Sequence, residues 1–249
     1  MERTARLLYT LLGWIALPWV VLRLFWRARK EPGYRERLRE RFAHYGQSSH
    51  NHGDAAPIWI HAVSMGETRA IAPLVERLAA LEPAPPILLT HTTATGRAAG
   101  RALFGGRVTQ AWLPYDLPCA MRRFLTHFRP RAGLLVETEL WPNLAAIAAA
   151  SGMPLFLVNA RMSTRSAAGY ARIGLLSRPL IRSLAGVAAQ GDADAQRLRA
   201  LGAREVTVTG NLKFDAPVPP EMRERGRALR ALIGDARPVV VAASTRDGE

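Results

Sequence analysis

The feature that most constrains the fold is an alternation, from residue 57 onward, of short apolar runs with longer segments of helical pattern. The apolar runs are rich in strand-favouring residues and cover 57–63, 86–91, 107–113, 132–137, 154–159, 186–190, 205–209 and 238–243. The helical patterns cover 67–82, 95–104, 117–128, 140–151, 164–184, 192–201 and 220–233. Strands that alternate with helices form βαβ units, and continuously apolar strands are covered on both faces. The sequence therefore predicts an α/β fold built on a parallel sheet.

The N-terminal segment contains an uncharged, apolar run over 7–22 that is sixteen residues long. A helix that spans a bilayer needs about 20 apolar residues, so this run is short for a span, and Pro18 would kink it. Trp14, Trp19 and Trp26 belong to a residue type that gathers at membrane interfaces. No small-residue cleavage site follows, which argues against a signal peptide. We predict a membrane anchor, either a single span or a helix in the interface, with a buried core helix as the alternative.

Basic residues are concentrated after this run. The flank 27–41 carries seven Lys or Arg, whereas only Arg3 and Arg6 precede the run. By the positive-inside rule, the bulk of the protein then lies on the cytoplasmic side of a membrane. The segment 34–42, YRERLRERF, is predicted to form a short basic helix that rests on anionic lipid headgroups.

The net charge of +14 is spread along the chain, which fits anionic lipids or phosphorylated ligands. No basic run interleaved with aromatic residues follows residue 45, so specific binding of nucleic acid is not expected. Cys119 is the only cysteine, which excludes an internal disulfide. The six histidines show neither HxxxH nor HExxH spacing, so we expect no protein-bound metal and no cofactor.

Polar residues follow most of the predicted strands, and the carboxyl ends of parallel strands share one edge of a sheet, where ligands bind. Ser64 and Glu67 follow the first strand with the S-x-x-E spacing of a helix-capping box. On spacing alone this structural interpretation leads over a catalytic one. Glu137 and Glu139 follow the fourth strand, and Lys213, one of two lysines, follows the seventh. A general base and groups that stabilise charge would thus meet at this edge.

Seven motifs in these loops resemble, in order and spacing, the 3-deoxy-D-manno-octulosonic acid (Kdo) transferases of lipopolysaccharide synthesis. They are HAVSMGE, THTTATG, LPYDLP, ETELWPN, NARMS, GNLKFD and AAST. The resemblance covers nearly the whole chain, including the apolar N-terminal run. It implies the Rossmann-like N-terminal half of a GT-B fold, preceded by a membrane-anchor helix. It also implies inverting transfer of Kdo from CMP-Kdo to the lipid A precursor, lipid IVA, at the cytoplasmic face of the bacterial inner membrane.

The resemblance carries three catalytic roles onto this sequence. Glu67 falls on the family's proton acceptor, while Glu137 and Lys213 fall on its charge-stabilising residues. We expect the helix dipole to hold Glu67 ionised and to lower its basicity, so that desolvation by a bound acceptor is needed to offset it. The residues predicted to bind substrate are Ser64, Gly66, Arg69, Thr93, Glu139, Asn159, Arg161, Arg165 and Asn211. The three arginines are candidate contacts for acceptor phosphates, with solvated surface arginines as the alternative.

The sequence departs from the family pattern at Arg246 in STRDGE, where the family has histidine in an STHxGE-like motif. We predict an anchor and basic segment over 1–45, a polar linker over 46–56 and an acceptor-binding domain over 57–215. Residues 216–249 are predicted to be a linker and the opening strand of a CMP-Kdo-binding domain whose remainder is missing. We therefore expect little transferase activity from this chain alone.

Three alternatives stay open. A non-catalytic, membrane-bound module that binds the lipid A precursor would keep the anchor and the acceptor cleft without a donor site. A different GT-B glycosyltransferase would use a UDP-sugar, although ETELWPN and GNLKFD argue against it. A basic nucleic-acid binder would show steep, salt-dependent binding to duplexes, and we expect only weak, unselective association.

Overall fold

The computed structural model describes residues 1–46, 55–215, 218, 220–234 and 236–241. The chain divides into two compact units, 1–215 and 216–249. Most of the linker predicted over 46–56 lies outside the described residues, and so does Arg246.

Within the described residues, seven parallel strands form one sheet in the order β3-β2-β1-β4-β5-β6-β7. Their bounds are β1 Ile58–His61, β2 Ile87–His91, β3 Thr109–Trp112, β4 Ala132–Val136, β5 Leu155–Ala160, β6 Gly186–Ala189 and β7 Val206–Val208. The chain order of the strands reverses between β1 and β4. In open parallel sheets, this switch point is where a crevice for ligands forms. The predicted α/β class and parallel sheet are confirmed.

The helices of the first unit are α1 Glu2–Arg27, α2 Met65–Ala70, α3 Ala72–Ala79, α4 Ala94–Phe104, α5 Pro118–Phe128, α6 Pro142–Ala150, α7 Thr164–Arg172, α8 Gly174–Ser183 and α9 Asp192–Leu201. The second unit contains α10, Pro220–Ile233. Two predicted helices are each divided into two. Pro73, which has no amide hydrogen, follows the break between α2 and α3. Between α7 and α8, Ile173 has a ψ of 36°, which is not helical.

The apolar N-terminal run lies inside α1, which is 26 residues long. By length and composition, α1 is a helix that could cross a membrane. The predicted apolar anchor helix is therefore present as a helix, and its relation to a membrane is taken up below.

Large apolar side chains cover both faces of the sheet. Because neighbouring strand residues point to opposite faces, Trp59 joins one buried cluster with Met121 and Phe124, and Ile60 joins the other. Each fully buried side chain of this size stabilises the fold by about 1.5–3 kcal/mol. Gly133 in β4 permits this packing, since a Cβ at that position would lie 2.7 Å from Cε3 of Trp59. The edge of the sheet at the switch point is thus carried by a closely packed base.

The segment 34–42 does not form the basic helix predicted for it. Its place is taken by two short 3-10 helices, Pro32–Arg35 and Leu38–Phe42. Arg37 between them has a left-handed φ of 46°, which interrupts a continuous helix. Glu40 is buried, and its Oε2 accepts a hydrogen bond from the amide of Trp112 at 3.0 Å. The segment therefore packs against the sheet and is not a free helix, and its contact with lipid headgroups stays a prediction.

The strand predicted over 238–243 is absent from the part that the structure describes, 238–241. A strand requires a partner, and the described residues of the second unit contain α10 but no strand with which this apolar run could pair. The remainder of that prediction lies outside the described residues.

Candidate active site

Glu67 lies at the carboxyl end of β1, in the first turn of α2. Ser64 is the N-cap of α2, and its Oγ accepts a hydrogen bond from the amide of Glu67 at 3.3 Å. The Ser64 hydroxyl donates to Oε1 of Glu67 at 2.8 Å, and the amide of Val63 donates to Oε2 at 2.7 Å. The cap that the S-x-x-E spacing predicts is therefore present, and it also fixes the position of the carboxylate.

The basicity of Glu67 differs from the expectation based on the helix dipole. Burial raises the pKa of Glu67, and this effect outweighs the hydrogen bonds from Val63 and Ser64, which lower it; the charge of Glu137 raises it further. The expectation that the helix terminus dominates was wrong in sign, because the protein itself desolvates this carboxylate. Glu67 is thus a stronger base than a solvated glutamate before any acceptor binds.

Two further carboxylates follow β4, directly across the switch point. Glu137 adopts a left-handed φ of 62° and donates its amide to the carbonyl of Val158 at 2.9 Å. Glu139 is partly buried, and burial, followed by the charge of Glu67 and then that of Glu137, raises its pKa to about 7. These mutual electrostatic effects mean that Glu67, Glu137 and Glu139 form one cluster, which we call the carboxylate cluster.

Lys213 approaches the carboxylate cluster from the loop after β7, the strand at the edge of the sheet. It lies in a short 3-10 helix, Leu212–Asp215, that follows β7. Its Nζ is 3.9 Å from Oε1 of Glu137, and both side chains are partly exposed. An ion pair of this kind contributes little to stability, about 0–1 kcal/mol, so stability alone does not account for placing a lysine here.

Two asparagines predicted to bind substrate hold the loop that carries Lys213. Asn159, at the end of β5, accepts a hydrogen bond on Oδ1 from the amide of Leu212 at 3.1 Å. Asn211 accepts one on Oδ1 from the amide of Lys213 at 3.0 Å and donates its Nδ2 to Oε1 of Gln190 at 3.2 Å. Both side chains therefore position the loop, and direct contact of either with substrate stays a prediction.

Thr93 has a similar role beneath Glu67. Its Oγ1 donates to the carbonyl of Val63 at 2.6 Å and accepts from the amide of Gly96 at 3.1 Å, so it caps α4 and braces the loop after β1. A Cβ at Gly96 would lie 2.7 Å from the Val63 carbonyl oxygen. Sequence reasoning missed Gly96, although the T-x-x-G spacing after a strand is a signal of such a close approach.

The remaining predicted residues lie outside the carboxylate cluster. Arg69, Arg161 and Arg165 are exposed, and none of them forms an ion pair with the residues that the structure describes. Gly66 is also exposed, with room for a side chain next to Ser64. Their contacts with substrate stay predictions. In the described part of the chain, no group of three or more His, Cys, Asp or Glu side chains is arranged to hold a metal ion.

Two kinds of comparison with known proteins, with individual relatives and with a family as a whole, point to one family. A 3-deoxy-D-manno-octulosonic acid transferase of Bordetella pertussis is 52% identical over 200 residues, which are 78% of this chain and 46% of that protein. One from Haemophilus influenzae is 36% identical over 246 residues, 98% of this chain and 57% of that protein. This chain thus spans about half the length of the curated relatives that it matches.

Solved structures support the fold alone. A UDP-GlcNAc 2-epimerase of Neisseria meningitidis superposes with a TM-score of 0.50 at 15% identity, over 71% of this chain and 52% of that one.

Residues 36–216 match the N-terminal glycosyltransferase family described as 3-deoxy-D-manno-octulosonic-acid transferase (kdotransferase). Together with the two relatives and the carboxylate cluster at the switch point, this match means that the chain belongs to the Kdo transferase family.

Proposed function

We propose that the protein transfers Kdo from CMP-Kdo to a hydroxyl of the lipid A precursor, lipid IVA, with inversion, and that Glu67 is the general base. Family membership supports the transferred sugar. The observation that carries the proposed chemistry is the carboxylate cluster, in which a partly buried Glu67 has a raised pKa and a fixed orientation.

The proposed step moves one proton and exchanges one bond. The acceptor hydroxyl attacks the anomeric carbon of Kdo, the bond from that carbon to the CMP phosphate breaks, and Glu67 takes the hydroxyl proton. CMP leaves as a phosphate monoester and needs no general acid. The raised pKa of Glu67 suits this role, because a base whose pKa approaches the working pH accepts the proton more readily.

Glu137 and Lys213 are proposed to stabilise charge in the transition state. The sugar develops positive charge as the bond to phosphate breaks, and a carboxylate on the side of Glu137 opposes that charge. The Lys213 ammonium, 3.9 Å from Glu137, is placed either to stabilise the departing phosphate or to orient its partner. Glu139, whose pKa is raised to about 7, is partly protonated near neutral pH, which limits repulsion among the three carboxylates.

Features of the protein surface support the proposed acceptor and location. Arg69, Arg161 and Arg165 are exposed without ion pairs among the described residues, which leaves them available for the phosphates of lipid IVA. The apolar helix α1 is proposed to hold the protein at the cytoplasmic face of the inner membrane, on anionic lipids. No metal and no cofactor take part in the proposed reaction.

The sharpest test replaces Glu67 by glutamine, which keeps size and polarity while removing the base. Because the chain spans about half the length of its relatives, Kdo transfer to lipid IVA is measured for the 249-residue chain and for a fusion with the second half of the Bordetella relative. We expect little product from the chain alone. In the fusion, Glu67→Gln should lower turnover by about 10²–10⁴-fold.

The matched control is Glu76→Gln on α3, an exposed glutamate paired with Arg107 away from the carboxylate cluster. It makes the same chemical change and should leave turnover within a factor of two or so. Turnover of Glu67→Gln within a few-fold of the parent would leave Glu67 as a helix cap only. Binding of lipid IVA without transfer in either form would favour the non-catalytic module, and a preference for a UDP-sugar would favour a different glycosyltransferase.

A further inference from the structure

Helix α1 can be related to a membrane in two ways that its sequence does not separate. With 26 residues it is about 39 Å long, enough to cross a hydrocarbon core of about 30 Å or to lie along its surface. We propose that α1 lies in the bilayer interface, parallel to the membrane plane. One side of the helix packs on the rest of the first unit, and the other side contacts anionic lipid. The evidence is in how the two sides of the helix differ.

The first half of α1 is joined to the domain by polar contacts. The Thr10 hydroxyl lies 3.1 Å from Oδ1 of Asn143 and 2.9 Å from the Arg6 carbonyl oxygen, two acceptors that compete for its one proton. The Tyr9 hydroxyl interacts with the Asp116 carboxylate. Asp116 is buried and caps α6, accepting from the amides of Asn143 and Leu144 at 3.0 and 2.8 Å. If α1 left the first unit, these contacts would be lost. The buried polar side chains of Asp116 and Asn143 would then lack their partners on α1, which is energetically costly.

The contacts continue to the other end of α1. A Cβ at Gly13 would lie 3.6 Å from the Leu117 side chain, and Leu17 packs against the main buried cluster. At the end of the helix, the Arg27 guanidinium lies 4.6 Å from the centre of the Tyr34 ring. From Tyr9 to Arg27 the docked length is about 27 Å. The helix therefore lies along the first unit instead of projecting from it.

The opposite side of α1 is apolar and exposed. The adjoining apolar residues Leu7, Leu11, Trp14 and Phe25 are 43–70% exposed. Six further members recur at intervals of three or four residues and are each 56–67% exposed; they are Leu8, Leu12, Ile15, Trp19, Leu22 and Trp26. This spacing places them on one face of the helix, and we call them the outer face. Two of the six are tryptophans, which favour the boundary between water and lipid.

The surroundings of the outer face match a lipid surface. Ile173, which precedes α8, and Leu175 in α8 are also exposed and line a groove with Leu8 and Leu12, so the apolar surface extends beyond α1. Arginines border it at both ends: Arg172, Arg178 and Arg182 line that groove, and Arg23, Arg29 and Arg35 line a second one beside Trp19 and Trp26. An apolar face edged by arginines is the pattern of a helix that lies among anionic headgroups.

A spanning arrangement conflicts with this docking. If α1 crossed the bilayer while docked, α6 and α8 would enter the hydrocarbon together with Arg178 and Arg182. Arginine at the bilayer centre is costly, by about 2.5 kcal/mol or more for each residue. If α1 crossed the bilayer undocked, Asp116 and Asn143 would lose their partners on α1. The interfacial arrangement keeps every one of these contacts.

Spin labels on the outer face distinguish the two arrangements. Leu8→Cys, Ile15→Cys and Leu22→Cys are made singly in a Cys119→Ser background, and each labelled chain is bound to vesicles of phosphatidylethanolamine and phosphatidylglycerol. Fourteen residues separate the outer two labels, about 21 Å along the helix. Collision with oxygen and with a water-soluble nickel chelate gives each depth. We expect all three labels at one shallow depth, about 5–10 Å below the headgroups.

A depth gradient, with label 15 deepest and labels 8 and 22 near opposite surfaces, would show a span and overturn the proposal. Labels shielded from both reagents would show that protein covers the outer face, with the same consequence, as would labels that stay in water. A label at exposed Leu81 should remain aqueous in every case and serves as the control. The measurement needs no transfer activity, so a failed result leaves the proposed transfer reaction untouched. Labels that stay in water would, in addition, remove α1 as the proposed membrane anchor.

Discussion

Each oxygen of the Glu67 carboxylate accepts one hydrogen bond, Oε1 from the Ser64 hydroxyl and Oε2 from the Val63 amide. A carboxylate offers about four acceptor positions, so the cap leaves room for a substrate hydroxyl on either oxygen. Capping and catalysis are therefore compatible at this residue. The cap orients the carboxylate, and burial supplies the basicity that the helix terminus alone would take away.

At the residue scale, Glu139 is expected to make stability depend on pH. Its pKa rises from 4.5 in the unfolded chain to about 7 in the folded one. Between these values the folded protein holds a proton that the unfolded chain has released, so stability falls as pH rises through this range. Glu139→Gln removes the loss. Relative to the parent, we expect the variant to gain about 1 kcal/mol between pH 5 and pH 8, allowing for partial exposure.

Urea unfolding at four pH values from 5 to 8 measures this difference. Glu76→Gln, the same chemical change at an exposed glutamate outside the carboxylate cluster, is measured in parallel as the matched control. A stability difference between Glu139→Gln and the parent that does not change with pH would mean that Glu139 titrates like a solvated carboxylate.

At the element scale, the alternation of apolar and helical segments was sufficient to predict β1 to β7. Most of these strands are continuously apolar because both of their faces are covered, whereas β7, at the edge of the sheet, is partly exposed and was predicted from its strand-favouring residues. The helix breaks were missed. Pro73 is a visible break signal, yet the apolar pattern continues through it. Gly174, which follows the break at Ile173, is a weaker local signal of the same kind. The apolar run at 238–241 failed as a strand, since composition predicts a strand only where a partner is available.

A prediction at this scale concerns Thr93, whose hydrogen bonds connect α4 to the loop after β1. Thr93→Val keeps the shape of the side chain but removes the cap on Gly96 and the hydrogen bond to the Val63 carbonyl. We expect a loss of about 1–2 kcal/mol in the free energy of unfolding, measured in urea. Thr93→Ser keeps both hydrogen bonds and should lose less than half as much. Equal losses for the two variants would assign the effect to the methyl group instead.

At the scale of the whole molecule, the convergence of strand ends predicted that Glu67, Glu137, Glu139 and Lys213 would meet, and they do. The rule works because topology alone places the carboxyl ends of parallel strands at one edge. The burial of Glu67 and Glu139 could not be predicted in the same way, since it depends on segments that are distant in sequence. The hydrogen bonds of Asn159 and Asn211 likewise join loops whose separation along the chain hides their contact.

The segment 34–42 is joined to α4 by a buried ion pair, which gives a prediction for the whole fold. Glu40 Oε2 lies 3.3 Å from the Arg97 guanidinium, with both side chains about 5% exposed or less. Glu40→Ala leaves a buried arginine without its carboxylate, so we expect a loss of about 3–5 kcal/mol in urea unfolding. The control is Glu36→Ala, which breaks the exposed pair with Arg101 and should lose about 1 kcal/mol or less. Similar losses at both positions would mean that the Glu40 ion pair contributes no more stability than an exposed one. The segment 34–42 would then not be what fixes α1 to the rest of the first unit.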